Sequence, residues 1–127
     1  MITLSIFLLI YVYMIAVGIV EGKKTAESGS QAAYHDWRTV ASICVFILAC
    51  LAAHAFWWVL AAWVSGNGLY NRFLCKWAQG SFFAVNNGIF ITGFGKFSIA
   101  MEYPIFTTGW TEFLTVVFFG ILSILLI

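Results

Sequence analysis

The sequence predicts an all-α integral membrane protein, a single domain formed by a bundle of about four transmembrane helices. Of the 127 residues, 63% are hydrophobic and 9% are charged, whereas a typical soluble domain carries about 25% charged residues. Six Lys/Arg and five Asp/Glu side chains are too few to cover a water-exposed surface. The net charge of +1 also lacks the basic surface of a nucleic-acid-binding protein. We therefore expect the lipid bilayer as a partner and exclude nucleic acid.

The first two predicted spans are residues 1–20 and 39–64. Residues 1–20 carry no charged side chain and measure about 30 Å as a helix, which matches the hydrocarbon thickness. We expect a retained span rather than a signal peptide, because no basic residue precedes the apolar stretch. Residues 39–64 form a charge-free run with tryptophans at its end, as in an aromatic belt. The polar segment 21–38 is predicted to be a loop whose second half begins the next helix.

Residues 65–80 are predicted to connect the second and third spans. Within them, the stretch 69–77 places apolar side chains on one helical face and basic ones on the other. This pattern is typical of a short helix lying in the membrane interface, and an ordinary loop is the alternative. Basic residues occur in both connections, with a slight excess in the first. By the positive-inside rule, that excess favours a cytoplasmic first loop, with both termini on the opposite side.

The last two predicted spans, 81–101 and 105–127, form a hairpin around the chain's single proline. Pro104 cannot continue a helix and marks the turn. The charge-free run at the C-terminal end is about 22 Å long as a helix. It therefore crosses a bilayer only if the span starts near residue 105 and carries Glu112 into the membrane. A re-entrant final run would instead leave three spans.

Polar residues concentrate in the predicted third span, which contains Asn86, Asn87, Thr92, Gly93 and Lys96. A charge at membrane depth costs at least about 2.5–3.5 kcal/mol and is usually paired or functional. Spacings of three, four and three place Asn86, Ile89, Gly93 and Lys96 on one helical face. Small residues and amides hold neighbouring transmembrane helices together. A water-facing pore lining is the alternative function of this face.

Lys96 and Glu112 are predicted to lie at similar depths of the hairpin, seven residues before and nine residues after Tyr103. An ion pair between them would remove the cost of an isolated charge. In the alternative, Lys96 extends its ammonium group to the nearby interface. Glu112 then lies at a helix N-terminus, where the helix dipole favours a negative charge.

Part of the same region resembles the pore helix and selectivity filter of potassium channels. The resemblance lies in Phe82-Phe83-Ala84-Val85 and Thr92-Gly93-Phe94-Gly95, since that family combines an aromatic pair with a Thr-Val-Gly-Tyr/Phe-Gly filter. It implies an oligomeric pore whose carbonyl groups coordinate a cation. In this sequence Thr92 is displaced by one position, and Lys96 stands where the family usually has an acidic residue.

His54 lies near the middle of the predicted second span, one helical turn from Cys50. Imidazole is a good haem or metal ligand, so His54 is a candidate cofactor contact. Such a site would be shared with another chain, because one or two ligands do not complete it. The alternative is a hydrogen-bonded histidine inside the bundle. The sequence shows no nucleophile–base constellation, phosphate loop or metal-spaced cluster, so we expect no enzymatic activity and no cofactor or metal site of its own.

These observations lead to two hypotheses for function. The first is a small, non-catalytic, multi-pass subunit that packs within a larger membrane complex. Its basis is the aromatic content, since 13 Phe and 6 Trp form more surface than a small isolated bundle can cover. The second is an oligomeric ion channel or pore lined by the third segment through Asn86, Thr92 and Lys96. The expected partners are other membrane subunits in the first case and copies of the chain itself in the second.

Overall fold

The computed structural model describes residues 2–28, 32–83 and 109–127, and these ranges form four helices and no strand. The all-helical prediction is confirmed for this part of the chain. The helices, numbered in chain order, are α1 (Ile2–Ser28), α2 (Ala32–Ala53), α3 (Trp57–Gln79) and α4 (Gly109–Leu126).

One helical stretch of the described residues, Ile2–Lys24, is long and apolar enough to cross a membrane. Thr39–Ala53 and Trp110–Leu126 are apolar but shorter. Helix α3 is not among these stretches, because polar residues interrupt its second half. The described residues thus contain one candidate membrane span by length and composition.

Helix α1 continues beyond the predicted first span, which ended at residue 20. Residues 21–28 are helical, so the prediction of a loop is wrong for this half of the 21–38 segment. The other half agrees with the prediction, since α2 begins at Ala32. Glu, Lys and Ala are good helix formers, and Gly22 packs directly against α3. Packing and local propensity together extend the helix through a stretch whose polarity indicates a loop.

The predicted second span, 39–64, is not one helix, because a three-residue turn separates α2 from α3. His54 begins this turn in a left-handed backbone conformation, with φ = 50°. Its N–H bonds to the carbonyl of Leu51 at 3.4 Å, and the N–H of Ala55 bonds to the carbonyl of Cys50 at 3.3 Å. These two bonds form a Schellman motif, in which His54 occupies the position usually taken by glycine. The hydrophobicity of the sequence does not indicate that a helix ends at this position.

Residues 65–80, predicted as a connection, form about two thirds of α3 and the glycine that ends it. The stretch 69–77 is helical, but it is part of the 23-residue helix α3, so the prediction of a separate short helix is wrong, as is the alternative of a loop. Helix α3 lies between α1 and α4 and packs extensively against both. Gly80 ends the helix with φ = 82° and donates its N–H to the carbonyl of Lys76 at 3.0 Å. From position 84 onward, the predicted third span 81–101 lies outside the described residues.

Helices α1 and α3 run parallel and approach closely at two glycines. A Cβ added to Gly18 would lie 2.5 Å from the carbonyl oxygen of Tyr70, and one added to Gly22 would lie 2.9 Å from that of Leu74. From the first contact to the second, the residue numbers rise by four on both helices, so α1 and α3 run in the same direction. Small residues spaced by four allow this close backbone approach between helices.

Helix α4 runs antiparallel to α3. The hydroxyl of Ser65 donates to the carbonyl of Val116 at 2.7 Å, and the hydroxyl of Ser123 donates to the carbonyl of Trp58 at 2.8 Å. Residue numbers therefore rise on one helix as they fall on the other. Successive helices alternate in direction, so the start of α1 and the end of α4 lie at the same end of the bundle.

The apolar core lies mainly between α1 and α3, whereas α2 is peripheral. Helix α2 contacts α1 and α3 far less than α3 contacts α1 and α4. Its interface includes a hydrogen bond between Tyr13 and Ser42 at 3.0 Å and a tilted contact between the rings of Phe46 and Trp63 at 5.3 Å. The buried core residues of the other interface are Ile10, Met14, Trp58, Val59, Ala62, Tyr70 and Leu74.

We predict that Gly18→Ala lowers the stability of the protein by about 1–3 kcal/mol, because the new methyl group would collide with helix backbone that cannot move alone. Gly66→Ala is the matched control. Its Cβ would meet the side chain of Met14, at 3.1 Å, and a methionine side chain can rotate away. The measurement is the melting temperature of the purified variants, and equal losses for both would contradict the close α1–α3 contact.

Candidate functional site

A layer of buried polar side chains crosses the bundle toward the C-terminal end of α3. Three consecutive residues of α3 belong to it: Tyr70, Asn71 and Arg72. Each neighbouring helix adds one carboxylate, Glu21 from α1 and Glu112 from α4. All five residues are buried, with Glu21 0% and Arg72 2% exposed. We refer to these five residues as the polar layer.

The carboxylate of Glu112 is held by two successive residues of α3. The Nδ2 of Asn71 donates to Oε1 at 2.9 Å and to Oε2 at 3.1 Å, and the Nε of Arg72 donates to Oε1 at 2.8 Å. Glu112 lies in the first turn of α4, where the helix dipole also stabilises a negative charge. The α3–α4 interface thus carries a buried, charge-assisted ion pair with a neighbouring amide.

The remaining nitrogens of Arg72 also have acceptors. Its Nη1 donates to the carbonyl oxygen of Phe82 at 3.1 Å, and its Nη2 lies 3.8 Å from the sulfur of Cys75. Removing a guanidinium from water costs several kcal/mol, which an ion pair offsets only when the other donors are satisfied as well. Each of the three nitrogens of Arg72 thus has at least one acceptor, and these contacts offset part of the cost of burying the pair.

On the other side of α3, the hydroxyl of Tyr70 donates to Oε2 of Glu21. Both side chains are buried between α1 and α3. This contact lies next to the close backbone approach at Gly18 and Gly22. The second carboxylate of the polar layer therefore joins α1 to α3, as the first joins α4 to α3.

A chain of hydroxyl groups connects the three helices one to two turns away from the polar layer. The hydroxyl of Tyr11 donates to Oγ of Ser65 at 2.7 Å, and Ser65 donates in turn to the carbonyl of Val116. The bond from Ser123 to the carbonyl of Trp58 follows further along α3 and α4. Polar contacts between helices are thus distributed along the whole length of α3.

Four aromatic rings fix the turn after α3 onto the start of α4. The rings of Phe83 and Trp110 stack with centroids 3.7 Å apart and planes 5° from parallel, and Phe82 meets Phe113 edge-on at 6.0 Å. This arrangement holds the Phe82 carbonyl in place for Arg72. Phe82 and Phe83 open the stretch that resembles a channel pore helix, and the rest of that stretch lies outside the described residues.

Among the predicted site residues, Glu112 is the one that the structure places in a described cluster. Its ion-pair partner there is Arg72. This residue lies on the basic face of the stretch 69–77, which was predicted to be a short interfacial helix. The predicted pair between Lys96 and Glu112 stays a prediction, because Lys96 lies outside the described residues. The same holds for the other candidates of the third segment, Asn86, Asn87, Thr92 and Gly93.

His54 lies in the exposed turn between α2 and α3, so the prediction that it sits inside a continuous span is wrong. The turn belongs to the half of the bundle that is remote from the polar layer. Within the described ranges, no three His, Cys, Asp or Glu side chains converge on a metal site. A haem or metal contact of His54 shared with another chain stays a prediction.

No protein-family model, curated protein or solved structure matches this chain. The polar layer joins α3 to both neighbours, and each of its carboxylates accepts hydrogen bonds from side chains of α3. Such an arrangement is suited to fixing the order and register of helices.

We predict that Arg72→Met lowers stability by about 3–5 kcal/mol, because it leaves the charge of Glu112 buried without its partner. The double variant Arg72→Met/Glu112→Gln removes both charges and keeps an acceptor for Asn71, so it should recover most of that loss. Lys76→Met, one turn further along α3 and exposed, should change stability by less than about 0.5 kcal/mol. Chemical unfolding of the three purified variants measures these differences. A double variant no more stable than Arg72→Met would show that the ion pair is not the source of the effect.

Proposed function

We propose that this chain is a small, non-catalytic, multi-pass membrane protein that packs as a subunit within a larger membrane complex. The observation that carries this proposal is the distribution of polarity in the bundle. The ion pair of Arg72 and Glu112 is buried, whereas Leu9 is 65% and Leu125 is 76% exposed. A water-soluble protein has the reverse arrangement.

Large apolar side chains project outward from all four described helices. Monomeric soluble proteins rarely expose contiguous apolar patches of more than a few hundred Å². Hydrocarbon, in contrast, solvates such side chains and excludes exposed charges. The side chains that support a lipid-facing or protein-facing surface include Ile2, Leu9, Val12, Leu48, Leu51, Trp57, Leu114, Phe118 and Leu125.

The helix lengths also support several crossings. The four helices contain 27, 22, 23 and 18 residues, which correspond to about 27–40 Å at 1.5 Å per residue. The hydrocarbon core is about 30 Å thick. Helix α3 is the least apolar of the four. Because α1 and α4 cover Ser65, Asn71 and Arg72, these polar side chains would not face lipid in a membrane.

Helix α2 supports the role of a subunit. Among the described residues it packs less extensively against α1 and α3 than these helices pack against each other, and it exposes Ile43, Ile47, Leu48 and Leu51. A helix attached this loosely gains most from a further neighbour, since helix association in lipid depends on close packing. We propose that the outer face of α2 is where the partner subunit packs.

The first experiment separates membrane insertion from assembly. Native membranes are washed with alkaline carbonate, and we expect the chain to stay in the pellet. Extraction in mild detergent followed by native mass spectrometry should then show the chain together with larger polypeptides. A homogeneous homo-oligomer would instead favour the alternative function, a pore lined by Asn86, Thr92 and Lys96. Release by carbonate would contradict both functions.

We predict that Leu48→Trp on α2 reduces co-purification of the partner at least severalfold, because a larger side chain disrupts a packed helix interface. Leu125→Trp on α4 is the matched control, since its side chain is also highly exposed and should leave the complex intact. The ratio of partner to chain in the native mass spectra is the readout. Loss of the partner in the control alone would place the interface on α4.

We predict that the end of the bundle at which α1 and α3 terminate faces the cytoplasm. Lys23 and Lys24 lie near the end of α1, and Lys76 lies in the last turn of α3. The parallel packing of α1 and α3 brings these lysines to one end, so the positive-inside rule favours that end strongly. A compartment-sensitive reporter fused after Ile127 should then report the opposite side of the membrane. A cytoplasmic reporter signal would contradict this orientation.

A further inference from the structure

Two lysines from different helices converge on one exposed tryptophan. The Nζ of Lys23, on α1, lies 4.6 Å from the centroid of the Trp77 ring, and the Nζ of Lys76, on α3, lies 5.9 Å from it. Both lysines are exposed, and Trp77 is 42% exposed. The base of the Trp77 side chain packs on Gly22, which fixes the ring against α1. We refer to Lys23, Lys76 and Trp77 as the lysine–tryptophan patch.

Because both ammonium groups lie near one ring, an anion bound beside that ring would be attracted to both of them. Among the described residues, neither Lys23 nor Lys76 forms an ion pair with a carboxylate. Glu27, one turn beyond Lys23, is the nearest exposed acidic residue along α1, because Glu21 is buried in the polar layer. The patch therefore presents two ammonium groups outward on an aromatic support.

The position of the patch in the bundle indicates what kind of anion it meets. Every charged residue of the described ranges lies in the half of the bundle where α1 and α3 end and α2 and α4 begin. The opposite half, from the start of α1 to the end of α4, carries no charged side chain in the described ranges. Trp and Lys side chains together are typical of the level of the lipid headgroups.

We propose that the lysine–tryptophan patch binds the phosphate of an anionic lipid headgroup in the leaflet at this end of the bundle. The proposal rests on the membrane location proposed above. The ammonium groups of Lys23 and Lys76 contact the phosphate from two sides, and the indole of Trp77 lies at the boundary between headgroup and acyl chains. The patch thereby couples the end of α1 to the end of α3 through a bound lipid.

The test uses the full chain, purified in detergent, titrated with phosphatidylglycerol or phosphatidylcholine and followed by native mass spectrometry. We expect the wild type to prefer phosphatidylglycerol. Lys23→Gln and Lys76→Gln should each weaken its binding about fivefold, which is typical for a lysine near an anionic surface. Lys24→Gln is the matched control, because it removes the same charge one position away from the patch and should change binding less than twofold. Glu27→Gln should strengthen binding, since it removes the neighbouring negative charge.

Several outcomes would overturn the proposal. Equal losses for Lys23→Gln and Lys24→Gln would indicate a diffuse effect of net charge. Displacement of the lipid by millimolar inorganic phosphate would indicate a soluble anion as the natural ligand. Absence of any preference between the two lipids would remove the site altogether. If the variants stay in carbonate-washed membranes throughout, these outcomes leave the proposed membrane function standing, whereas carbonate release of the wild type would remove both.

Discussion

The buried charge of Arg72 is the constraint on which the rest of the bundle depends. A guanidinium that is 2% exposed needs an anion and further acceptors, and Glu112 together with the Phe82 carbonyl provides them. These contacts fix where α4 starts relative to α3 and which way it runs. The stacked rings of Phe83 and Trp110 then reinforce the same alignment. Arrangements of α3 and α4 that separate Arg72 from Glu112 leave a charge buried without a partner, so the ion pair selects one packing among many apolar ones.

The helical class follows directly from composition and the long apolar runs, but the helix boundaries do not. The turn at His54 illustrates the reason. Helix α2 ends there in a Schellman motif with a non-glycine residue in the left-handed position. The local sequence contains no glycine or proline that would indicate this helix end. Residues 65–80 illustrate the opposite error. Their polarity indicates a connection, yet residues 65–79 are helical, and α1 and α4 cover the polar side chains of Ser65, Asn71 and Arg72.

The polar layer was accessible to sequence analysis only in part. Glu112 stands out as an acid near an apolar run, and the need for a partner is evident from the cost of its charge. The identity of that partner depends on which helices are neighbours, which is long-range information. Arg72 lies 40 positions away in sequence, and its role appears only once α3 is known to be a bundle helix. The spacing of Gly18 and Gly22 is the signal that could have indicated a closely packed α1.

The order of the helices explains why α2 is the loosely attached one. Helices α1 and α3 are parallel neighbours, so the chain must return over the full length of the bundle between them. Helix α2, with 22 residues, provides this return. Because α1 and α4 already flank α3, α2 packs only against the margin of the α1–α3 pair. In the described part of the chain, the same topology that requires α2 therefore leaves Ile43, Ile47, Leu48 and Leu51 exposed on its outer face. It also brings Lys23 and Lys76 to one end of the bundle, because the C-terminal ends of the parallel helices α1 and α3 lie side by side. Among the described helices, the peripheral position of α2 and the location of Lys23 and Lys76 at one end thus both follow from the parallel contact of α1 with α3.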